Sequence, residues 1–163
     1  MILRILSFFI RYGDTDYNGA YEALMAFYES IPDIDVESVL IDTALDSEEQ
    51  TRLENQALLM AGNNSRREFS GWESALEHYR DRLPSFDLLH LVTSAFQNEY
   101  NGFYPLVCRG MLEYVQETPH VMLAHIDAFP ERVRLSGRSF QTWGCSKFLF
   151  ARPTEWIALG SLV

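Results

Sequence analysis

Residues 57–79 constrain the fold of this chain more than any other part of its sequence. An apolar run at 57–60 is followed by a turn of Gly, Asn, Ser and Arg residues at 62–67. After the turn, apolar side chains recur at the three- and four-residue spacing of one helix face: Phe69, Trp72, Leu76 and Tyr79. This pattern predicts a strand that turns sharply into a helix. The N–H groups at such a helix start favour an anion or a polar ligand, although a capped connection without a ligand has the same pattern.

Strand-like and helix-like segments alternate along the whole chain. The apolar runs that predict strands are residues 2–10, 36–41, 57–61, 86–92, 121–126 and 143–150, with a further short strand and turn at 132–138. The helix patterns are residues 17–28, 47–55 and 68–82, a segment after Gly102 with an apolar face of Phe103, Leu106, Val107, Met111 and Tyr114, and residues 154–160. This alternation predicts an α/β fold with three layers and a mainly parallel sheet in one domain, residues 1–163.

The composition argues against several classes of protein. A net charge of −10 argues against nucleic acid as a partner, and no apolar run reaches the ~18 residues that predict a transmembrane segment. Because Cys108 and Cys145 are the only cysteines, no disulfide framework is predicted, and each is interpreted as a small buried side chain. The first apolar run lacks the marks of a signal peptide, so a cytoplasmic protein is expected.

Polar side chains gather where the predicted strands end, and parallel sheets bind ligands at the carboxyl ends of their strands. In chain order these candidates are Arg11, Tyr12, Asp14, Asp42, Asn63, Asn64, Arg66, Thr93, Ser94, His125 and Asp127. Residues 128–163 also carry five of the 13 basic side chains beside only two acidic ones. An anionic substrate would therefore find a favourable field there or beside Arg66 and Arg67.

Two of these residues are suited to proton transfer. Asp127 can act as a general base that deprotonates a hydroxyl. His125 points to the same side of the strand, since the two residues are two positions apart, and the two can form either a catalytic pair or a structural polar pair.

Asp42 can bind a ribose hydroxyl or serve as a turn residue. Gln141 and Trp143 can line an acceptor pocket, or can be a surface residue and a core residue.

Several motifs resemble those of GT-A-type glycosyltransferases, and more narrowly the rhamnan-synthesis-like proteins of bacterial polysaccharide synthesis. They are Gly62-Asn63-Asn64 with residues 68–72, and the segments 67–76, 91–96, 124–127 and 140–143. The resemblance covers most of residues 2–150. It implies that the domain binds a nucleotide-sugar donor and transfers the sugar to a glycan hydroxyl. It also implies that the first two strand ends contact the base and ribose, and that the Asn-containing turn completes the nucleotide pocket.

The sequence departs from this family at the end of the fourth predicted strand. GT-A enzymes usually carry Asp-x-Asp there, which binds a divalent cation on the donor diphosphate, whereas this chain has Thr93-Ser94-Ala95. A Mn²⁺ or Mg²⁺ cofactor would lack its usual ligands, and no metal-binding residue is predicted. Cationic side chains would then have to neutralise the negative charge of the diphosphate. The candidates are Arg66, Arg67, Arg138 and Lys147.

Two further expectations follow from these departures. The alternative to an enzyme is a non-catalytic GT-A-like scaffold or binding module that has kept the sheet without the metal site. The chain is also short for a protein with an acceptor-binding half, which is consistent with a fragment of a longer protein.

Overall fold

The computed structural model describes residues 1–12, 17–45, 52–54, 57–99, 102–135 and 137–162. The strands within these ranges are β1 (Leu3–Arg11), β2 (Ile34–Asp42), β3 (Arg52–Glu54), β4 (Ala57–Ala61), β5 (Ser65–Arg67), β6 (Leu88–Thr93), β7 (Met122–Leu135) and β8 (Arg138–Ala151). The helices are α1 (Ala20–Glu29), α2 (Glu68–Tyr79), α3 (Phe96–Glu99), α4 (Arg109–Glu117) and α5 (Pro153–Leu159), with 3₁₀ turns at Leu83–Ser85 and Tyr104–Leu106. None of the helices in the described ranges is both long and apolar enough to cross a membrane.

Seven of the described strands form one mixed sheet in the order β3-β4-β2-β1-β6-β8-β7. The central strands β4, β2, β1 and β6 pair in parallel, whereas β3, β8 and β7 join through antiparallel ladders at the margins. Because β7 is antiparallel to β8, it runs in the same direction as the central strands. The predicted α/β class with a mainly parallel sheet is therefore confirmed, with β3 and β8 as the described strands that run the other way.

Strand β1 is buried on both faces, as its continuous apolar sequence predicts. Ile5 and Phe9 pack in a core with α1, α3 and α4, while Phe8 and Ile10 pack in a second core with α2 and α5 on the opposite face. The alternation follows from the two-residue period of a strand. Each fully buried side chain of this size contributes about 1.5–3 kcal/mol of transfer free energy, so the two cores fix β1 in the middle of the molecule.

The helix predicted at 47–55 is wrong in its second half. Residues Arg52–Glu54 form β3, which pairs antiparallel with β4. Residues 47–50, whose Ser-Glu-Glu-Gln sequence is a capping-box pattern that predicts the helix start, lie outside the described residues. Strand β4 would otherwise leave a row of unpaired N–H and C=O groups at the sheet edge, and pairing with β3 satisfies them. Tertiary pairing here outweighs a local helix signal.

The apolar face predicted after Gly102 is right at Phe103 and Val107, which pack in the core, and wrong at Leu106, Met111 and Tyr114, which are exposed. A 3₁₀ turn at Tyr104–Leu106 and an extended Val107 interrupt the segment, so α4 begins only at Arg109. This shifts the phase of the helix and turns Leu112 and Val115 into the core, while Met111 is 43% and Tyr114 61% exposed. A helical periodicity cannot be continued across a break in the helix.

Strands β7 and β8 are much longer than the runs 121–126 and 143–150 that predicted them. Strand β8 pairs with β6 only through Phe148 to Ala151, and beyond this point β7 and β8 pair with each other as a hairpin. The hairpin turns at Gly137, which has a φ of 78° that favours glycine, in agreement with the predicted turn at 132–138. We call residues 126–144 the arm; most of the arm side chains that the structure describes are exposed.

Candidate functional site

A cavity of about 270 Å³ opens at the carboxyl ends of β1 and β6. The helix that follows β1, α1, and the helix that precedes β6, α2, pack on opposite faces of the sheet. The connections therefore diverge between these two parallel strands and leave a crevice, which is where open α/β sheets bind ligands. We call it the switch-point cavity; its lining residues are Ile10, Arg11, Tyr12, Tyr17, Thr43, Asn64, Arg67, Glu68, Thr93, Ser94, Ala95 and Lys147.

Cationic side chains outnumber carboxylates in the described lining of the switch-point cavity. Arg11, Arg67 and Lys147 contribute three positive charges, and Glu68 contributes one negative charge. Arg67 has a φ of 55°, a conformation that residues other than glycine rarely adopt and that is concentrated at functional sites. Because the Asp42 carboxylate pairs with Arg11 from behind, the net excess at the cavity is one positive charge, which still favours an anion.

Arg11 is held in place by Asp42. Its Nε donates to Asp42 Oδ2 at 2.8 Å, and Asp42 Oδ1 accepts a hydrogen bond from the Ala44 N–H. Asp42 is only 3% exposed and lies behind Arg11, outside the cavity lining. The bond to Ala44 is the turn role that the sequence offered as the alternative for Asp42, and the ion pair adds a second role, which is to position the Arg11 guanidinium.

The two asparagines of the turn before α2 have different roles. Asn63 Oδ1 accepts a hydrogen bond from Ser65 Oγ at 2.6 Å and shapes the turn, whereas Asn64 lines the cavity. Arg66 is exposed on the turn outside the lining, and its neighbour Arg67 takes the place at the cavity that was predicted for it.

The end of β6 forms part of the cavity wall. The Ser94 N–H donates to the Ile10 carbonyl at 2.9 Å, which continues the pairing of β1 with β6 by one residue. Thr93, Ser94 and Ala95 all line the cavity. The predicted position of Ser94 at the strand end is therefore observed, and the side chains at this strand end are small and neutral.

Tyr17 was missed as a site residue, because its spacing with later apolar residues predicted the buried face of α1. The helix begins only at Ala20, after Gly19 with a φ of 81°. Tyr17 itself has a φ of 57° and lines the cavity beside Tyr12. The Asn-Gly pair that follows Tyr17 was the available signal, since such a pair marks a turn before a helix.

A second cavity, of about 320 Å³, lies beside the first where the arm joins the sheet. We call it the arm cavity; its lining residues are Phe69, Asp127, Trp143, Gly144, Cys145, Ser146 and Lys147. Lys147 lines both cavities, and Ser146 Oγ donates to Glu68 Oε1 at 2.9 Å between them. Groups bound in the two cavities would thus be neighbours.

The predicted pair His125 and Asp127 does come together, and Cys145 joins it. His125 Nδ1 lies 3.5 Å from Asp127 Oδ1, and the Cys145 thiol donates to Asp127 Oδ2 at 2.8 Å. This thiol bond is the main cause of a lowered pKa of Asp127, to which Trp143, His125 and Lys147 also contribute. Asp127 is accordingly a carboxylate at neutral pH. Cys145 is buried, as predicted, but it also has a polar partner; the same prediction is wrong for Cys108, which is exposed.

The remaining predicted residues are spread more widely. Trp143 lines the arm cavity and is 40% exposed. Its ring packs edge-to-face with that of Phe129, with the ring centroids 4.4 Å apart. Gln141 is exposed on the arm, away from the lining of both cavities. Asp14 lies outside the described residues. The structure therefore gathers Arg11, Asn64 and Ser94 at one cavity, and Asp127 and Trp143 at the other.

Comparisons with known proteins give no relative for this chain. No family model matches its sequence, and neither the curated proteins nor the solved structures contain a match.

Proposed function

We propose that this chain is a GT-A-like glycosyltransferase domain that transfers a sugar from a nucleotide-sugar donor to a glycan hydroxyl in bacterial cell-surface polysaccharide synthesis. The observation that carries the proposal is the adjacency of the two cavities. A cationic crevice at the point where the sheet connections diverge shares Lys147 with a cavity that contains the ionised Asp127. Donor transfer needs this combination of an anion site and a nearby base. The motif resemblance supplies the family and the biological setting.

The switch-point cavity is suited to a nucleoside diphosphate. Arg11, Arg67 and Lys147 can neutralise the diphosphate through charge-assisted hydrogen bonds, in place of the carboxylate-bound cation of the resembling family. Tyr12 and Tyr17 offer aromatic rings at the same cavity, and a base that stacks on such a ring gains about 1–3 kcal/mol. The amide of Asn64 provides donors and an acceptor for the base or ribose.

The arm cavity would hold the acceptor. Asp127 accepts the proton of the acceptor hydroxyl, and the oxygen attacks the anomeric carbon of the sugar. The bond from that carbon to the diphosphate breaks, and the diphosphate leaves with the electron pair and is stabilised by Lys147 and the arginines. Lys147 is placed to act on the leaving group because it lines both cavities.

Donor binding is tested by calorimetric titration of nucleoside diphosphates and their sugar conjugates. Arg67→Gln and Lys147→Met should each weaken binding at least tenfold, since each removes a charge-assisted contact. Arg66→Gln is the matched control, because it removes the same charge from the adjacent, exposed position and should change the affinity less than twofold. Equal losses for Arg66→Gln and Arg67→Gln would show that only the general field matters, and no binding of any nucleotide to the wild type would refute the donor site.

Catalysis is tested with Asp127→Asn. Release of free sugar from the bound donor, with water as acceptor, should fall by about 10²–10⁴-fold, the usual contribution of a general base, while donor affinity stays unchanged. A wild-type protein that binds donors without any turnover would instead favour the non-catalytic binding module. That module is the alternative favoured by the neutral side chains of Thr93, Ser94 and Ala95 at the end of β6.

A further inference from the structure

The geometry points to a transition-metal site, with Zn²⁺ as the preferred ion, formed by His125, Asp127 and Cys145 where the arm joins the sheet. Each of these residues offers one ligand atom, and the three atoms lie within 4.8 Å of one another. The site does not depend on the transferase proposal.

The backbone explains why three residues so far apart in sequence share one face. Asp127 pairs with Trp143, and Ile126 with Gly144. His125 is two positions from Asp127 on β7, and Cys145 is two positions from Trp143 on β8, so the Asp127–Trp143 pair brings all four side chains to one face of the ladder. The ladder then becomes irregular, because the next pair is Ala124 with Leu149. Such irregularities redirect side chains and are common beside functional sites.

The distances suit tetrahedral coordination. Ligand bonds of about 2.0–2.2 Å to nitrogen and oxygen would place those two atoms about 3.4 Å apart in a zinc site, and His125 Nδ1 lies 3.5 Å from Asp127 Oδ1. The sulfur-to-oxygen separation would be about 3.6 Å, compared with the 2.8 Å between Cys145 Sγ and Asp127 Oδ2. Because these two distances involve different oxygens of Asp127, binding of the ion would require the Cys145 and Asp127 side chains to rotate until one carboxylate oxygen faces both His125 Nδ1 and Cys145 Sγ.

The donor set selects the metal. A thiolate and an imidazole favour Zn²⁺ and its neighbours in the transition series over Mg²⁺ or Ca²⁺, which prefer oxygen ligands. A thiolate and a carboxylate also balance the two charges of the ion. The edge of the Phe103 ring packs against His125 with the ring centroids 5.5 Å apart, which restrains the imidazole plane.

Binding of the ion would replace the hydrogen bond from the Cys145 thiol to Asp127. On binding, Zn²⁺ takes the thiolate sulfur, the Cys145 S–H proton leaves to the solvent, and no oxidant or reductant is required. The arm cavity adjoins Asp127 and Cys145, so the fourth coordination position can hold water or a substrate oxygen. With the ion bound, Asp127 would be a ligand instead of the general base, and the metal would supply a base by lowering the pKa of a coordinated water.

Metal binding is tested on the full chain with Co²⁺ and Zn²⁺ alone, without nucleotide, so that failure here leaves the donor site untouched. The wild type should bind one Co²⁺ with a thiolate-to-cobalt charge-transfer absorption, and Zn²⁺ should displace it. Zn²⁺ titrations in two buffers of different ionisation enthalpy should report release of about one proton per ion.

The two cysteines provide a matched pair of variants. Cys145→Ser should abolish the charge-transfer band and weaken Zn²⁺ binding at least tenfold, whereas Cys108→Ser should leave both unchanged. Asp127→Asn changes a partly exposed side chain and should weaken Zn²⁺ tenfold or more in a folded protein, which covers the case that Cys145→Ser fails to fold. A wild-type band that survives Cys145→Ser, or is lost in Cys108→Ser, would overturn the site, as would a wild type that gives no band.

Discussion

Strand β8 passes through two different environments, and the comparison separates what holds this protein together from what gives it chemistry. From Phe148 to Ala151 it pairs with β6, from Leu149 to Ala151 it also pairs with β7, and all four residues are buried. Over the arm it pairs with β7 alone, and its side chains are mostly exposed. The buried half fixes the sheet edge, and Cys145, Ser146 and Lys147 lie at the junction where packing still orders them but a ligand can reach them.

The largest expected difference is between two phenylalanines on this strand. Phe148 is 0% and Phe140 40% exposed. Phe148→Ala should lower the free energy of unfolding by about 3–5 kcal/mol, since it leaves a cavity in a packed core, whereas Phe140→Ala should lower it by less than about 1 kcal/mol. Chemical denaturation measures both. Comparable losses would mean that the arm is as tightly packed as the sheet.

The next largest effect concerns two aspartates on β2. Asp42→Ala should cost about 3 kcal/mol, because it leaves the largely buried Arg11 without its close partner. Asp35→Ala, at the other end of the strand, breaks only a 3.9 Å contact between exposed groups and should cost less than about 0.5 kcal/mol. If Asp42→Ala proved as mild as Asp35→Ala, the ion pair would not be what positions Arg11.

A third test compares two histidines, His90 in the buried sheet and His125 where the arm joins the sheet. His90 is buried beside Tyr28 and Phe150, and burial lowers its pKa well below 6.5. The folded state therefore keeps His90 neutral while the unfolded state binds a proton, so stability is present above pH 6.5 and is lost as the pH falls below it. The loss from this group is at most about 1.4 kcal/mol per pH unit.

Denaturation at pH 7.5, 6.5 and 5.5 checks this expectation. His90→Phe should flatten the pH dependence between pH 6.5 and 5.5, whereas His125→Gln at the arm junction should retain it. A slope that disappears in His125→Gln and persists in His90→Phe would reverse the assignment.

The smallest expected effect lies within the arm. Phe129 and Trp143 pack edge-to-face with ring centroids 4.4 Å apart, and such a pair should contribute about 0.5–1 kcal/mol beyond its buried area. A double-mutant cycle of Phe129→Ala and Trp143→Ala measures the coupling. A coupling near zero would indicate that the arm is not ordered by this contact in solution.

The same contrast explains what the sequence could predict. Strand β4 was predicted with its observed bounds, Ala57–Ala61, and β1 within one residue at each end, because central strands carry continuous apolar runs. The strands predicted at 121–126 and 143–150 did not extend into the arm, because exposed antiparallel strands lack a continuous apolar run. Strand β3 was misread as helix because its pairing with β4 is not visible in local sequence. The buried face of α4 was predicted incorrectly because the 3₁₀ turn interrupts the helical periodicity before Arg109.

The candidate site was predictable to a similar extent. Strand-end positions identified Arg11, Asn64 and Ser94, because the carboxyl ends of parallel strands converge for any sequence of this fold. The meeting of Cys145 with Asp127 was not predictable, since it depends on the register of an irregular ladder. The choice of Arg67 over Arg66 depends on one unusual backbone φ angle, which the residue types do not encode.

Backbone amide NMR during titration with a nucleoside diphosphate tests the central claim most directly, because it locates the ligand. We predict that the largest shifts fall on Arg11, Tyr12, Asn64, Ser94 and Ala95, around the switch-point cavity. Shifts gathered instead around Glu73, Leu76, Trp156 and Leu162, which line a separate cavity between α2 and α5, or no shifts at saturating nucleotide, would contradict it.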